Sequence, residues 1–467
     1  MKNDFLSNIE IAYPKYVEKK LNHKRFTNMD ILPLIHNAGM DKNLNVKLLG
    51  HSIENREIFS LEFGEGATKV LLWSQMHGDE PTATMALFDI FNFLNNKDEF
   101  DEFRNLIKQN LKLIFVPMLN PDGAERIVRQ NAAGIDLNRD ARRLQAPESQ
   151  ILLKLVEDYK PGFAFNLHDQ DFRWSVGSSN KIAAISLLAP VFDDNKSINK
   201  FRSNAIKLIA DLRDEFEKYL PGQIARYKDD YEPRSFGDLI SGRNVSTILI
   251  ESGIDPKDSN KMYYRKINFI MLLSSFYKII NKGYTNRSVD EYFNIPTNGK
   301  FMFDLILRNI NVKLNDKKFV VDIAINREEF YQDSIRLPKF ISNIMDIGDL
   351  QVFNGIEEFD CTDLELREGK TLENVDNSLI EIKEKDIKDY LKEGVLFIKL
   401  KNQTTGKKIT DLPINVLNIE SNYMPDIEIN SPANFNLYKN DKIIKHVING
   451  WLCNPSETDK VNNGLVF

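Results

Sequence analysis

Apolar and polar positions along the first 285 residues alternate in a way that predicts short buried strands separated by amphipathic helices. Residues 45–63 form two apolar runs around a polar stretch from Ser52 to Arg56, which predicts a hairpin. Lys69–Gln75 has the apolar run of a buried strand, and Thr82–Leu94 has apolar residues at helical spacing. Further strands are predicted at Leu111–Pro117, Gly162–Leu167 and Thr247–Ile250, and further helices at Ser149–Tyr159, Ile198–Tyr219 and Tyr263–Ile280. This alternation predicts an α/β fold, with a mixed sheet covered by helices on both faces.

The pattern changes past about residue 285, where helical periodicity fades. Short apolar segments separated by Asn, Asp and Gly follow at Phe301–Leu307, Phe319–Ile325, Val395–Leu400 and Ile414–Leu417. We therefore expect one domain at residues 1–285 and a β-rich accessory domain at 286–467, whose role stays open between surface binding and dimerisation. The charged stretch Ser378–Tyr390 predicts an exposed helix or a loose loop.

Composition narrows the class of protein. The chain has 467 residues, 42% of them hydrophobic and 28% charged, which is typical of a globular protein with about two or three domains. Its net charge of −6 argues against a nucleic-acid partner. The first twenty residues lack the apolar core of a signal peptide, and we expect no membrane association. The two cysteines, Cys361 and Cys453, could pair but fit a reducing compartment at least as well, so a cytoplasmic location is predicted.

The most informative motif is His77-Gly78-Asp79-Glu80, directly after the first central strand. A His-x-x-Glu pair offers a nitrogen and a carboxylate oxygen one turn apart, which are two of the three protein ligands that catalytic zinc takes. Taken alone the pair is weak, since a lone His is more often a surface or core residue. Only six histidines are present in the chain, so few others compete as ligands.

Two later strands also end in ionisable groups. His168 follows Gly162–Leu167 and is the natural third ligand, and Glu251 follows Thr247–Ile250. In open α/β sheets the carboxyl ends of the strands are where ligands bind. A carboxylate there can take a proton from a metal-activated water. Alternatively, His168 could be a capping residue in a loop, and Glu251 could be the N-cap of the next helix.

A third motif, Gly134-Ile135-Asp136-Leu137-Asn138-Arg139, brings an amide and a guanidinium side by side. Arginine binds a carboxylate bidentately, so Asn138 and Arg139 suit the anionic end of a substrate. Arg129 could stabilise the oxyanion of a tetrahedral intermediate. Arg126, Arg142 and Arg143 compete for these roles, and an exposed basic cluster is the plain alternative.

Together these residues resemble the zinc carboxypeptidase family over residues 45–282. The resemblance rests on five elements in order: His77-x-x-Glu80, Asn120-Pro121-Asp122-Gly123, Gly134-x-Asp136-x-Asn138-Arg139, His168 and Glu251. It implies one Zn²⁺ per chain, bound by His77, Glu80 and His168. It also implies that Glu251 is the general base and acid, that Arg129 polarises the scissile carbonyl, and that Asn138 and Arg139 hold the substrate carboxylate. The Arg-x-Asn-Ala-x-Gly-x-Asp-x-Asn-Arg run resembles that of the murein-peptide amidases of this family.

The resemblance does not identify the tyrosine of the site as clearly as it does the other residues. The family often has a mobile tyrosine some twenty residues before its catalytic Glu, and Tyr227 and Tyr231 both lie in that region. Of the two, we expect Tyr231 to contact substrate.

The resulting prediction is a zinc metallocarboxypeptidase that hydrolyses an amide bond near a free carboxylate. Its partner would be a peptide or an acylated amino acid. The nearest alternative is an N-acyl amino acid deacylase of the desuccinylase and aspartoacylase type, which shares the ligands and an Asp-x-Asn-Arg run. A non-catalytic peptide-binding protein on the same fold is the alternative from another class.

Overall fold

The computed structural model describes residues 2–40, 43–331, 336–375, 382, 384–401, 406–424, 426–455 and 457–467. It divides into two compact units, Met1–Lys300 and Phe301–Phe467. The division falls after Lys300, whereas the sequence pattern changes near 285, because one short helix and one short strand precede Lys300. The roles of the two parts stay predictions.

A mixed eight-stranded sheet forms the centre of the first unit, in the order β1-β2-β4-β3-β5-β9-β7-β8. The strands of this unit are β1 (Asn45–His51), β2 (Glu57–Phe63), β3 (Thr68–Trp73), β4 (Leu111–Val116), β5 (Phe163–Asp169), β6 (Ser175–Val176), β7 (Ile185–Leu188), β8 (Ile224–Arg226), β9 (Ser246–Ser252) and β10 (Asn298–Gly299). The central strands β4, β3, β5 and β9 are parallel. The predicted hairpin is present as the antiparallel pair β1–β2.

Helices cover both faces of this sheet. They are α1 (Lys2–Ala12), α2 (Asn28–Met40), α3 (Thr82–Asn95), α4 (Asp101–Asn110), α5 (Pro121–Arg126), α6 (Pro147–Tyr159), α7 (Lys200–Phe216), α8 (Phe236–Gly242), α9 (Met262–Asn281) and α10 (Val289–Phe293). In β3, Val70 and Leu72 pack with α3, α7 and α9, whereas Leu71 and Trp73 pack with α6 and α8. Successive side chains of a strand point to opposite faces, so a continuous apolar run is what a sheet buried on both faces requires. The predicted α/β architecture is confirmed.

The N-terminal segment is tied to the first unit by a buried ion pair between Asp89 of α3 and Arg265 of α9. The side chains of Arg265 and Asp89 are 1% and 0% exposed. Tyr13 donates its hydroxyl to Asp89, and the backbone N–H of Glu18 donates to the same carboxylate at 2.7 Å. Arg265 also donates to the carbonyl oxygens of Glu18 and Leu21. The ion pair therefore satisfies the N–H and carbonyl groups of Glu18 and the carbonyl group of Leu21.

We expect Asp89→Ala to lower the free energy of unfolding by about 3–5 kcal/mol, because it leaves the Arg265 charge buried and unpaired. Urea unfolding of the full chain measures the change. The control is Lys15→Ala, which breaks a pair with Glu99 whose side chains are 53% and 56% exposed, and which should change the free energy of unfolding far less because solvent screens the pair. Equal effects of the two variants would show that the Asp89–Arg265 pair adds nothing beyond a surface contact.

The second unit is β-rich, as predicted. Its strands are β11 (Met302–Leu314), β12 (Lys317–Phe330), β13 (Lys339–Gly348), β14 (Asn354–Asp360), β15 (Glu365–Glu368), β16 (Lys370–Val375), β17 (Val395–Leu400), β18 (Ile409–Thr410), β19 (Asn415–Leu417), β20 (Phe435–Lys439), β21 (Lys442–Ile448), β22 (Trp451–Cys453) and β23 (Gly464–Leu465). One eight-stranded sheet runs β13-β12-β11-β15-β20-β21-β22, with β14 paired to β11, and β16-β17-β19 form a second sheet. The charged stretch predicted at 378–390 ends in helix α11 (Glu384–Lys392), while residues 378–381 and 383 lie outside the described residues. Across the described chain, no helix combines the length and apolar character needed to cross a bilayer.

Candidate active site

The loop after β3 presents His77 and Glu80, and the Asn120–Gly123 motif holds this loop in place. The backbone N–H of Asn120 donates to the carbonyl of Gln75 at 2.9 Å, and the Asn120 amide donates to the carbonyl of Met76 at 3.2 Å. Gly78 faces the backbone of Gly123 so closely that an added Cβ would lie 1.9 Å from the Gly123 carbonyl carbon. Only glycine fits at position 78, so this motif serves to support the ligand loop.

Parallel pairing of β5 with β9 sets His168 directly opposite Glu251. Both side chains emerge on the sheet face that packs against α6 and α8, because their strand neighbours Leu167 and Ile250 belong to the core on the other face. His168 is 2% exposed and Glu251 is 9% exposed. The third ligand candidate and the candidate base are therefore adjacent because of strand register, although they lie far apart in the sequence.

Donor atoms of His77, Glu80 and His168 all lie within 4.8 Å of one another. Both imidazoles turn Nδ1 to the Glu80 carboxylate, at 2.8 Å for His77 and 2.7 Å for His168. Two imidazole nitrogens and a carboxylate are the donor set of a catalytic zinc site. All three side chains are buried, and among the described residues this is the one group of three or more such side chains that could hold a metal ion.

Asp136 belongs to the Gly134–Arg139 motif, but no role is predicted for it above. Its Oδ1 lies 3.1 Å from Nε2 of His77. If His77 is neutral and donates its Nε2–H to Asp136, its Nδ1 carries a lone pair that points at the Glu80 oxygen. Both of these atoms are then acceptors, so a positive charge is needed between Nδ1 of His77 and the Glu80 oxygen. Burial opposes a charged imidazole, but Glu80 and the hydrogen bond to Asp136 outweigh it and raise the pKa of His77 to about 9. The residues present therefore fit a divalent metal.

We expect Asp136→Asn to weaken metal binding by about 10–100-fold, because outer partners of a histidine ligand fix its tautomer and ring orientation. Competition with a chromophoric chelator measures the dissociation constant of the metal. Arg129→Gln serves as the comparison, since Arg129 Nε donates to the other oxygen of Asp136 at 2.9 Å but Arg129 is no metal ligand. If Arg129→Gln weakened metal binding as much as Asp136→Asn does, the contact between Asp136 and His77 would not be the cause.

Arg129 lies at the rim of the metal-ligand cluster. Its Nη1 is 3.1 Å from Nδ1 of His77 and 3.6 Å from Oε1 of Glu80. Its side chain is 40% exposed, so the guanidinium also reaches solvent. Burial disfavours the charged form of Arg129, but the negative charges of Glu80 and Asp136 outweigh burial and raise the pKa of Arg129. The arrangement places a permanent positive charge beside the ligands.

Asn138 and Arg139 lie at the same cleft, in a short helical turn capped by Asp136. The Oδ1 atom of Asn138 accepts the backbone N–H of Phe236 at 3.0 Å, which leaves its NH₂ group as the donor available to a ligand. Arg139 donates from Nη1 to the carbonyl of Asn138 at 2.7 Å, and its Nε lies 3.5 Å from Glu232. The Arg139 side chain is 41% exposed. A donor amide and a partly free guanidinium thus lie next to each other.

One cleft of about 270 Å³ collects most of the predicted site residues. They are His77, Glu80, Arg129, Asn138, Arg139, His168 and Glu251. Burial, together with the neighbouring Glu80, raises the pKa of the Glu251 carboxyl well above its usual range. Glu251 is therefore a buried carboxyl whose proton affinity is raised by its surroundings in the cleft.

The cleft contains Tyr227, whereas Tyr231 is not among the described residues that line it. The ring of Tyr227 lies 5.8 Å from that of Trp174, another lining residue. Burial and then the Glu251 charge raise the pKa of Tyr227 to about 12, so the hydroxyl stays protonated and can donate. A substrate contact by Tyr231 stays a prediction, and Tyr227 is the tyrosine that lines the cleft. Spacing alone could not separate the two, since both lie about twenty residues before Glu251.

Known proteins resemble parts of this chain. Residues 37–180 match the family model described as zinc carboxypeptidase. Carboxypeptidase SOL1 of Arabidopsis thaliana is 30% identical over 103 residues, which cover 20% of this chain and 21% of that protein. Carboxypeptidase D of Homo sapiens is 24% identical over 189 residues, which cover 35% of this chain and 14% of that protein. A solved metallo-carboxypeptidase from Burkholderia cenocepacia has a TM-score of 0.46 and 16% identity, over 56% of this chain and 70% of that one. The aligned parts thus span 14–21% of the two curated relatives.

Proposed function

We propose, from the match of residues 37–180 to the zinc carboxypeptidase family model, that this chain is a zinc-dependent carboxypeptidase. It would hydrolyse the amide bond next to a free carboxylate. One observation carries the proposal: the three candidate ligands, the candidate base Glu251 and the carboxylate-binding pair Asn138 and Arg139 line the same cleft. Metal binding, proton transfer and binding of the substrate carboxylate are separate requirements of the reaction, and each would be met by one of these groups.

His77, Glu80 and His168 would hold one zinc ion per chain. Zinc, when bound, lowers the pKa of a coordinated water and polarises a carbonyl group. Asp136 orients the imidazole of His77 for this task through the contact to Nε2. The burial of all three ligands excludes competing solvent from their donor atoms.

Glu251 would serve as general base and then as general acid. It is buried opposite His168, so its carboxylate can accept a proton from the attacking water and deliver it to the departing amine.

Three other side chains would position the substrate. Arg139 and the amide of Asn138 bind the terminal carboxylate, because a guanidinium and an NH₂ donor suit two carboxylate oxygens. Tyr227, which lines the same cleft, would add a hydroxyl donor. Arg129 would donate to the scissile carbonyl oxygen as negative charge develops on it.

The N-acyl amino acid deacylase is a second candidate, because the same carboxylate-binding pair suits an N-acyl amino acid as well as a peptide. The binding-protein alternative has no such support, since the ligands and the base are all retained. Cytoplasmic residence stays a prediction from cysteine usage, and Cys361 and Cys453 are free and buried in the structure.

Metal content and substrate class can be tested together. The zinc-loaded full chain is offered peptides with a free C-terminus, the same peptides amidated at that end, and N-acyl amino acids. We expect about one zinc per chain, release of the last amino acid from free peptides, and at least a 10²-fold lower kcat/KM on the amides. Cleavage of N-acyl amino acids alone would select the deacylase, and cleavage of amidated peptides at equal rates would contradict a role for Arg139. Zinc binding without hydrolysis of any compound would favour a binding protein.

A further inference from the structure

The loop that carries His77 and Glu80 has each of its backbone carbonyl groups bound to a donor. Asn120 binds the first two of these groups, as described above. The carbonyl of His77 accepts the backbone N–H of Glu80 at 3.3 Å, and the carbonyl of Gly78 accepts Nε2 of Gln75 at 3.0 Å. These four carbonyl groups are therefore held by the loop itself or by the neighbouring Asn-Pro-Asp-Gly motif.

The fifth carbonyl group belongs to Asp79, directly before Glu80, and its donor comes from a distant part of the chain. Nη1 of Arg25 donates to it at 3.0 Å. Arg25 belongs to the N-terminal segment, by which we mean residues 13–27, and this segment precedes the residues 37–180 that match the family model. A contact from outside the matched region thus reaches the residue next to a candidate metal ligand.

Arg25 extends from a backbone that is itself fixed. Its neighbours Lys24 and Phe26 are 5% and 4% exposed, and Phe26 packs in the core of the first unit. A few residues earlier, the carbonyl of Leu21 accepts a hydrogen bond from the buried Arg265 side chain. Because this backbone is already ordered, the Arg25 guanidinium can hold the loop at a small further cost in conformational entropy. A hydrogen bond from a charged donor is also stronger than a neutral one.

The chain after Glu80 is held as well. Oδ2 of Asp169 accepts Oγ1–H of Thr82 at 2.7 Å and the backbone N–H of Thr82 at 3.3 Å. Nζ of Lys261 donates to the same oxygen at 2.9 Å. Glu80 therefore lies between a bound carbonyl group on one side and a bound N–H group on the other, and Arg25 supplies the first of these two contacts.

The position of Glu80 affects all three candidate ligands. Its Oε1 lies 2.8 Å from Nδ1 of His77 and its Oε2 lies 2.7 Å from Nδ1 of His168. Zinc requires its nitrogen and oxygen ligands at about 2.0–2.2 Å in a tetrahedral arrangement. A displacement of the Glu80 backbone would move one ligand away from the other two, and the affinity for the metal would fall.

We propose that Arg25 is a positioning residue of the metal site, which fixes the Asp79 carbonyl group and thereby the carboxylate of Glu80. The N-terminal segment then contributes to metal affinity, although none of its described residues lines the cleft. Arg25 acts through the backbone of Asp79. This inference rests on the proposed function, because the site that it supports is the metal site of the proposed carboxypeptidase.

The first measurement is the dissociation constant of zinc for the full chain, by competition with a chromophoric chelator. Arg25→Ala should raise this constant by about 10–100-fold, which is the usual effect of removing an outer partner of a metal ligand. Arg25→Lys keeps a positively charged donor and should bind zinc more tightly than Arg25→Ala does. The KM for a cleaved peptide should stay within about threefold in the zinc-saturated variants, because Arg25 does not line the cleft.

The second measurement is hydrogen exchange of the metal-free chain, which reports the hold on the loop without any metal or substrate. In Arg25→Ala, the amides of residues 78–80 should exchange at least about 10-fold faster than in the unaltered chain, because local opening of the loop becomes easier. Amides of the central strand β5 should exchange at unchanged rates. Circular dichroism spectra check that each variant folds.

The matched control is Tyr16→Phe. Tyr16 lies in the same N-terminal segment, and its hydroxyl donates to Asp98 at 2.6 Å, away from the ligand loop. This variant should keep the zinc affinity and the loop exchange of the unaltered chain. If Tyr16→Phe weakened zinc binding as much as Arg25→Ala does, a general loosening of the segment would be the cause, and the specific role of Arg25 would be wrong.

The outcomes separate this proposal from the proposed function. Faster loop exchange together with weaker zinc binding in Arg25→Ala supports the proposal. Unchanged loop exchange, or faster exchange with unchanged zinc affinity, overturns it and leaves the carboxypeptidase standing. Failure of the unaltered chain to bind zinc would instead contradict the proposed function, and the exchange rates of residues 78–80 then decide by themselves whether Arg25 holds Glu80 in place.

Discussion

Glu251→Gln should lower kcat/KM by about 10²–10⁴-fold while the protein keeps one zinc ion per chain. The substitution preserves the shape of the side chain and removes its ability to accept a proton. Glu251 is buried, so solvent cannot readily replace it as the base. Steady-state kinetics on the best peptide, together with metal analysis of the same preparation, measures both effects.

A matched control for this change is Asp171→Asn. Asp171 lines the same cleft, but its carboxylate is partly exposed and bound to Arg173, so the variant should retain turnover. Near-normal activity of Glu251→Gln would remove the assignment of the base. Loss of zinc from Glu251→Gln would show that this carboxylate helps to hold the metal, and the loss of turnover could then not be assigned to proton transfer.

His168→Ala should lose both the metal and the activity. It removes one of the two imidazole donors, and a ligand contributes on the order of 3 kcal/mol to zinc affinity, which is at least about 10²-fold in Kd. His168 is only 2% exposed, so no other side chain is needed to shield its donor atom from solvent in the unaltered protein. Metal analysis after dialysis and a chelator competition give the loss of affinity.

The control is His51→Ala, because His51 is an exposed residue at the end of β1 and has no contact with the ligand cluster. It should keep its zinc and its turnover. If His168→Ala bound zinc as tightly as the unaltered chain, the ligand set of His77, Glu80 and His168 would be wrong. Hydrolysis by a His168→Ala protein free of zinc would contradict the metal-dependent reaction itself.

Much of the fold could be predicted from apolar periodicity. The strands around Lys69–Gln75 and Leu111–Pro117 and the helix at Thr82–Leu94 appear close to their expected bounds, because burial on both faces leaves a strong local pattern. The strand β7 (Ile185–Leu188) is not among the predicted strands, since its four residues, Ile-Ser-Leu-Leu, are too few to establish a period. The helices α2 and α4 were missed as well, and α2 contains Pro33, which usually signals a helix end.

The candidate site could be predicted only in part. Polar groups that follow apolar strands identified His77, His168 and Glu251 without any knowledge of which strands are neighbours. Asp136 was visible in its motif, but its contact with His77 spans 59 positions and depends on a loop conformation.

The sequence by itself determined the alternation of strands and helices, the loss of helical periodicity near residue 285, and the side chains available for metal binding and proton transfer. These properties follow from local periodicity and residue chemistry. Only the tertiary structure decided the register that sets His168 opposite Glu251, and only it placed Tyr227 among the residues that line the cleft. Register, loop paths and cavity shape arise from contacts between residues far apart in the chain, and the spacing of residues along the sequence does not specify those contacts.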